Sequence, residues 1–273
     1  MCARFAAWAT RRTNSQTARC AMAVERTYRE RVLVLDKTKL RETDLIYTLL
    51  AHDGRQIRAV GKGARKPGSR LAARCEVGCT VDMLIARGRS LDVVAEATLV
   101  SAPFGAAPEL DVLSAGAAIV DVARACCFED AKDPFVFPIT ERVLAVLGGS
   151  AGVLDSAHLD LVVAAYVFKL LAHLGYYPDF SACVLCGDAD VSYFSATAGG
   201  LVCASCASSV AGAEEVDATL VGWFRALMSL RFDDLAGASV DAPTAALLLA
   251  FSHAWAATHL DVRLRALEFL LGV

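Results

Sequence analysis

The sequence predicts an α+β chain. A five-stranded OB-type β-barrel comes first, followed by an α-helical body with an inserted four-cysteine zinc hairpin. Three observations predict this. Five short β-rich runs separated by turn residues fill roughly the first hundred residues. From about residue 110 the apolar spacing changes to a helical period. Cys183-Val184-Leu185-Cys186 and Cys203-Ala204-Ser205-Cys206 then form two CxxC pairs separated by sixteen residues, a spacing typical of tetrahedral zinc.

The chain has 273 residues, 56% of them hydrophobic, enough for a sizeable core in one large domain or two to three small ones. The reading divides it into an extension over 1–23, a barrel over 24–103 and a helical body over 104–273, with the zinc element at 180–210. Residues 1–24 carry four Arg and no acid, and show neither strand nor helix periodicity. They lack the 7–15-residue apolar core of a secretory signal. The extension is expected to be disordered, and Met22 marks an alternative translation start because ordered pattern begins just after it.

Residues 31–35 form the first strand, β-branched and Leu-rich. Residues 45–51 form the second and end at His52-Asp53-Gly54, a hairpin turn; residues 56–60 return at once. The loop Gly61-Lys62-Gly63-Ala64-Arg65-Lys66-Pro67-Gly68-Ser69-Arg70 is basic and glycine-rich. Residues 81–86 and 91–100 complete the meander around Arg87-Gly88-Arg89. An SH3-like barrel is the nearest rival.

Helical spacing governs 110–128. Pro138 suits the first turn of a second helix running through Leu147. A third helix covers 160–174, with Leu161, Ala165, Phe168 and Leu171 on one face and Gly175 as C-cap. In the zinc element, Val191, Tyr193 and Phe194 read as one short strand, Gly199-Gly200 as a turn and Leu201-Val202 as the returning strand. Helices over 218–230 and 243–270, the latter breaking at His259, complete the body. Residues 242–260 hold no Asp, Glu, Lys or Arg, about the length of a membrane span. Pro243, Ser252, His253 and His259 favour a buried bundle helix instead, with Leu247, Phe251, Trp255 and Thr258 on its stripe.

Four thiolates around one ion leave no open coordination position, so Cys183, Cys186, Cys203 and Cys206 read as a structural Zn2+ site. The other six cysteines show no disulfide framework, which fits a reducing compartment. Cys75 and Cys79, four residues apart, have no matching pair and are not read as a second site.

Net charge is −3, but it is unevenly spread. Residues 25–74 hold 13 Lys/Arg against 6 Asp/Glu, whereas residues 75–273 hold 10 against 24. A basic N-terminal module on an acidic body points to a polyanionic partner. The glycine-rich loop lacks both GxxxxGK[ST] and GxGxxG spacing, so nucleotide binding is unsupported. What it offers is flexible backbone carrying Lys62, Arg65, Lys66, Arg70 and Arg74, able to track phosphates without reading bases. Arg58 points from the preceding strand. Lys37, Lys39 and Arg41, expected in the first inter-strand loop, lie on a neighbouring rim. Tyr28 and Tyr47 are the only aromatics of residues 25–74, so phosphate contacts rather than base stacking are expected to dominate.

These residues resemble the RecO family, bacterial DNA repair and recombination mediators. The resemblance rests on Arg31-Val32-Leu33-Val34-Leu35 with Arg41-Glu42-Thr43-Asp44-Leu45-Ile46, on the loop Gly61-Lys62-Gly63-Ala64-Arg65-Lys66 with Ser69-Arg70-Leu71, on Leu171-Ala172-His173-Leu174-Gly175-Tyr176-Tyr177-Pro178 before the cysteines, and on the tail from His259 to Ala266. It implies an OB barrel, a helical body and a zinc element. It implies a non-enzymatic cytoplasmic, nucleoid-associated protein that binds single- and double-stranded DNA and anneals complementary strands. It also implies partnership with RecR and the single-strand-binding protein C-terminal tail, indirect partnership with RecA, which the protein helps to load, and no membrane. The 24-residue extension and the acidic body depart from the family pattern.

Three other classes stand beside it. A purely structural scaffold is one, and it predicts no salt-dependent DNA binding. An OB-fold RNA-binding module with a structural zinc ribbon shares the physics but predicts a 2'-hydroxyl preference. A zinc-dependent enzyme needs an open metal position and a general base. The sequence has no HExxH, nor HxE with PCxxC, and its five histidines show no ligand spacing.

Overall fold

The structure is a computed structural model that describes residues 26–105, 109–149 and 154–272. The expected disordered extension, 1–23, lies outside these residues, as do Cys2 and Cys20. Strands β1 (Thr27–Lys39), β2 (Leu45–Ala51), β3 (Gln56–Gly61), β4 (Thr80–Ala86) and β5 (Asp92–Ser101) close into a barrel in the order β1-β2-β3-β5-β4. The β3–β5 pair is parallel and the others antiparallel. Helix α1 (Arg70–Arg74) lies between β3 and β4. This is the closed Greek-key arrangement of an OB fold.

Period-2 alternation fills the barrel. Val32, Val34, Tyr47, Leu49, Ala51, Ile57, Ala59, Val81, Met83 and Ile85 point inward. Leu33, Leu35 and Leu50 face the other way and join the core of the helical body. The unbroken apolar run at 32–35 is therefore buried on both faces, and it locks barrel to body.

Strand β1 extends four residues beyond the expected 31–35 at each end. Its first half alternates exposed and half-buried positions while pairing with β4. Its last residues, Lys37 and Lys39, pair with Tyr47 and Leu45 of β2. The polar ends look like turn in sequence, yet the backbone ladder continues through them. Lys37 and Lys39 thus belong to a strand, not to the first inter-strand loop. Likewise Arg70 and Arg74 sit on α1, whose N-cap Ser69 accepts from the Ala72 N–H, rather than in the loop.

The body comprises α2 (Leu110–Cys126), α3 (Val136–Gly149) and α4 (Ser156–His173). The hairpin β6 (Tyr193–Ser195) and β7 (Gly200–Val202) follows, then α5 (Ala204–Ala207) and β8 (Glu214–Glu215). Next come α6 (Ala218–Ser229), α7 (Phe232–Ala236), α8 (Ala242–His259) and α9 (Arg265–Leu271). Asp155, Asp217 and Asp241 cap α4, α6 and α8 by accepting from His158, Leu220 and Thr244 N–H groups.

Helix α4 is central. It is buried nearly all round, not along one face, with α2, α3, α6, α7 and α8 packed on it. It has the length and apolarity of a membrane span, and 67% of it is buried inside the fold. The expected stripe of α8 needs correction, since Leu247 and Thr258 are exposed. The buried face is Ala245, Leu248, Leu249, Phe251, Ser252, Trp255 and Ala256. The last helix breaks after His259, as expected, and α9 docks when Asp121 accepts from Ala266 N–H.

Phe194 of β6 enters the body core. Its ring lies 5.2 Å from Phe224 and 5.0 Å from Phe251, and Phe180 stacks on Phe224 at 4.8 Å. The neighbouring residue Tyr193 faces the cysteines instead. Strand alternation thus gives the hairpin one face for the body and one for the metal cluster.

Candidate nucleic-acid interface and metal centre

The turn between β1 and β2 and the loop after β3 are bonded together. Arg65 N–H donates to the Thr43 carbonyl (2.9 Å), and its guanidinium donates to the carbonyls of Arg41 (3.1 Å) and Glu42 (2.9 Å). Asp44 Oδ1 accepts the Gly63 N–H at 2.8 Å, an approach served by the left-handed φ of +66° at Gly63. That amide, together with Thr43, Arg41 and Lys62, holds the Asp44 carboxyl below the usual carboxylate range against the cost of desolvation. The two loops therefore form one rim. Sequence reasoning missed Asp44 as the stitch, because its partner amide is nineteen residues away.

Lys39, Arg41, Lys62, Lys66 and Arg70 are exposed. Among the described residues none of them makes an ion pair. The other sequence-selected cations are engaged. Lys37 pairs with Glu76, and Arg65 holds the turn. Arg74 donates to the Ala97 carbonyl at 2.9 Å. Arg58 stands apart on the outer face of β3. It lines a polar cleft between barrel and body with Asp36, Thr48, Asp121, Arg124 and Arg263.

Neither tyrosine of the basic segment is available for base stacking. Tyr47 is fully buried in the barrel. Tyr28 donates its hydroxyl to Asp92 (2.6 Å) and carries the Arg87 guanidinium 4.8 Å above its ring.

The four cysteines converge from two directions. Cys183 and Cys186 occupy a turn closed by Gly187 N–H donating to the Cys183 carbonyl (2.8 Å), with Gly187 at φ +78°. Val184 N–H donates to the Leu201 carbonyl (2.9 Å), which ties this turn to β7. Cys203 is the N-cap of α5, and Cys206 lies one turn along it. All four sulfurs lie within 4.8 Å of one another, with Cys186 and Cys203 at 3.6 Å. Sulfurs of a tetrahedral site with ~2.3 Å metal bonds lie about 3.8 Å apart, so the set fits a metal ion.

The electrostatics agree. Desolvation raises the Cys183 thiol, and the amides of Cys203, Cys186 and Leu185 more than reverse this, bringing it down to about 6. Cys206, crowded by Cys203 and Cys186, is pushed up to about 12. Four sulfurs this close cannot all ionise unless a cation neutralises them.

No histidine converges on this cluster, the one such group among the described residues. His158 bonds Asp155 and the Ala238 carbonyl, and His173 bonds Asp133. His259 packs between Tyr176 and Trp255.

The family model described as recombination protein O N terminal matches residues 22–103. The one described as recombination protein O C terminal matches residues 107–268. The DNA repair protein RecO of Bifidobacterium longum subsp. infantis is 36% identical over 206 residues, covering 74% of this chain and 82% of that protein. That of Frankia casuarinae is 34% identical over 250 residues, covering 89% of this chain and 98% of that protein. That of Thermobifida fusca is 35% identical over 183 residues, covering 66% and 73%.

Proposed function

This chain belongs to the RecO family of DNA repair proteins, and from that premise we propose that it is a non-enzymatic strand-binding mediator of recombinational repair. The observation that carries this reading is the bonded rim, which presents Lys39, Arg41, Lys62, Lys66 and Arg70 to solvent without ion-pair partners among the described residues. Such a rim tracks the phosphate backbone of single- or double-stranded DNA. With no free aromatic beside it among the described residues, binding is sequence-tolerant and strongly salt-dependent. Arg65 and Arg74 support the rim through carbonyl hydrogen bonds, and Lys37 supports it through Glu76.

The metal is Zn2+, held by Cys183, Cys186, Cys203 and Cys206. Its chemistry here is coordinative closure of the hairpin, which fixes a segment with little apolar core of its own. Strand annealing, action with RecR, capture of the single-strand-binding protein tail and assistance to RecA complete the mediator reading, in the cytoplasm at the nucleoid. A competition experiment tests the nucleic-acid part. Unlabelled DNA and RNA oligonucleotides of equal length and sequence compete for the full chain near physiological salt. DNA competing at least as well as RNA supports the reading; a clear preference for RNA sinks it in favour of an RNA-binding module.

A further inference from the structure

The four cluster cysteines differ in what covers them. Cys183 and Cys203 are each 3% exposed and pack with Val202 in the small apolar cluster of the hairpin. Cys206 is half-buried and Cys186 is exposed. Cys186 sits between Leu185, itself 53% exposed, and Gly187, where an added Cβ would meet nothing within 4 Å. Solvent therefore reaches this cluster first at Cys186. The Cys186 sulfur lies 3.6 Å from that of the covered Cys203. Cys183 N–H donates to the Asp188 carbonyl (2.8 Å), which holds the exposed Asp188 and Asp190 beside the same turn. Their carboxylates disfavour anionic reagents and leave neutral ones free to approach. The other cysteines among the described residues are Cys75, Cys79, Cys126 and Cys127, and all are buried. Burial pushes the Cys75 and Cys126 thiols up to about 12, so they are poor nucleophiles near neutral pH.

We propose that Cys186 is an oxidation site for hydroperoxides, with Cys203 as its resolving partner, and that joining the two opens the metal cluster. This goes beyond the repair reading and rests on the metal reading. A coordinating thiol is deprotonated, and an exposed thiolate is oxidised ahead of a covered one. In the first step the Cys186 thiolate attacks a peroxide oxygen. The O–O bond breaks, a sulfenic acid forms on Cys186 and hydroxide leaves. In the second step the Cys203 thiolate attacks the Cys186 sulfur. The S–S bond forms, the S–O bond breaks and a second hydroxide leaves. The two sulfurs together give up two electrons, and the peroxide takes them. Cys183 and Cys206 then remain as two ligands where a closed site needs four. The loss reaches the backbone, because the turn holding Cys186 is tied to β7 only one residue from Cys183, by Val184 N–H to the Leu201 carbonyl.

The test uses the full parent chain, so no variant has to fold. The protein is loaded with zinc under reducing conditions, freed of reductant and assayed for metal; about one Zn2+ per chain is expected. Hydrogen peroxide is then added in small excess, and zinc release is followed with a chromogenic chelator. Samples are quenched in denaturant with N-ethylmaleimide and cleaved at Asp188 and Asp190. These cuts part the first cysteine pair from the second, a stretch without Lys or Arg, and mass spectrometry maps the disulfides. The first product expected is the Cys186–Cys203 disulfide, with Cys183 and Cys206 alkylated and zinc released in step with it. It should form about 10-fold or more faster than any oxidation of Cys126 or Cys127. Hydrogen exchange at Val184 should rise as zinc leaves, and dithiothreitol with zinc should reverse both changes. A first disulfide that omits Cys186, zinc retained after the Cys186–Cys203 bond has formed, or Cys126 and Cys127 reacting as fast overturns the proposal. A chain that takes up no zinc at the outset fails the metal reading itself. A zinc-loaded chain that peroxide leaves intact fails the oxidation proposal alone.

Discussion

Phe194→Ala tests how the metal hairpin is fastened to the body. Phe194 is 2% exposed, with its ring among Phe180, Phe224, Phe251 and Trp255. An aromatic side chain buries roughly 200 Å². At ~25 cal/mol per Å² this is about 5 kcal/mol, of which the remaining Ala methyl keeps a part. The two close ring pairs add about 1 kcal/mol each. These terms sum to about 6 kcal/mol, an upper bound because the unfolded chain already buries part of the ring; the expected loss is ~3–5 kcal/mol, the usual range for truncating a core phenylalanine. At ~2–4 °C per kcal/mol for a domain of this size, calorimetry should record a fall in melting temperature of about 6–20 °C. The four cysteines lie on the opposite face of the hairpin, so metal content by atomic absorption should stay at the parent ratio. A melting temperature within about 2 °C of the parent would show that the ring cluster does not dock the hairpin. Loss of metal at unchanged melting temperature would show that the two faces are not independent.

Three further outcomes follow from the same geometry. Cys203→Ser should lower both metal content and melting temperature, and a chelator should reproduce the effect in the parent; a metal-free variant as stable as the parent would remove the structural role. Arg65→Ala should loosen the rim through the lost Arg41 and Glu42 carbonyl contacts, raising hydrogen exchange at Gly63, whereas Lys62→Ala should leave exchange there unchanged. The Asp44 carboxyl is depressed in the folded chain. Its stabilisation of the rim is therefore fully present above its unfolded pKa and is lost as pH falls through the lower folded value. Exchange at Gly63 should rise in that acid window in the parent, and Asp44→Asn should abolish the added pH dependence.

Much of the fold is legible because single residues punctuate it. Residues 45–51 match β2 because His52-Asp53-Gly54 ends the strand sharply. Gly175 follows α4, and the break after His259 separates α8 from α9. Errors arise where polarity and backbone structure part company. Thr27 and Lys39 are polar, yet both pair in β1. The body's apolar helices also lack a clean stripe, so Leu247 reads as core though it is exposed. The cysteine site is legible because two short-range spacings encode it. The rim is only half legible. Its cations stand in the sequence, but the bonds from Arg65 to residues 41–43 and from Gly63 to Asp44 are long-range. Only those bonds show which cations build the rim and which are left exposed to solvent.

If the bonded rim holds DNA by its phosphates, the salt slope of Lys62→Ala/Lys66→Ala reports it. Single-stranded DNA binding is followed by fluorescence anisotropy from low to high salt, with a parent control at every point. Removing two phosphate contacts should flatten the log–log slope by about 1.4 units and weaken binding about 15-fold at ~0.15 M salt, equally for every sequence. Melting temperature should not change, since both lysines are exposed. An unchanged slope and affinity at matched salt would contradict the account and make the rim an ordinary solvated surface.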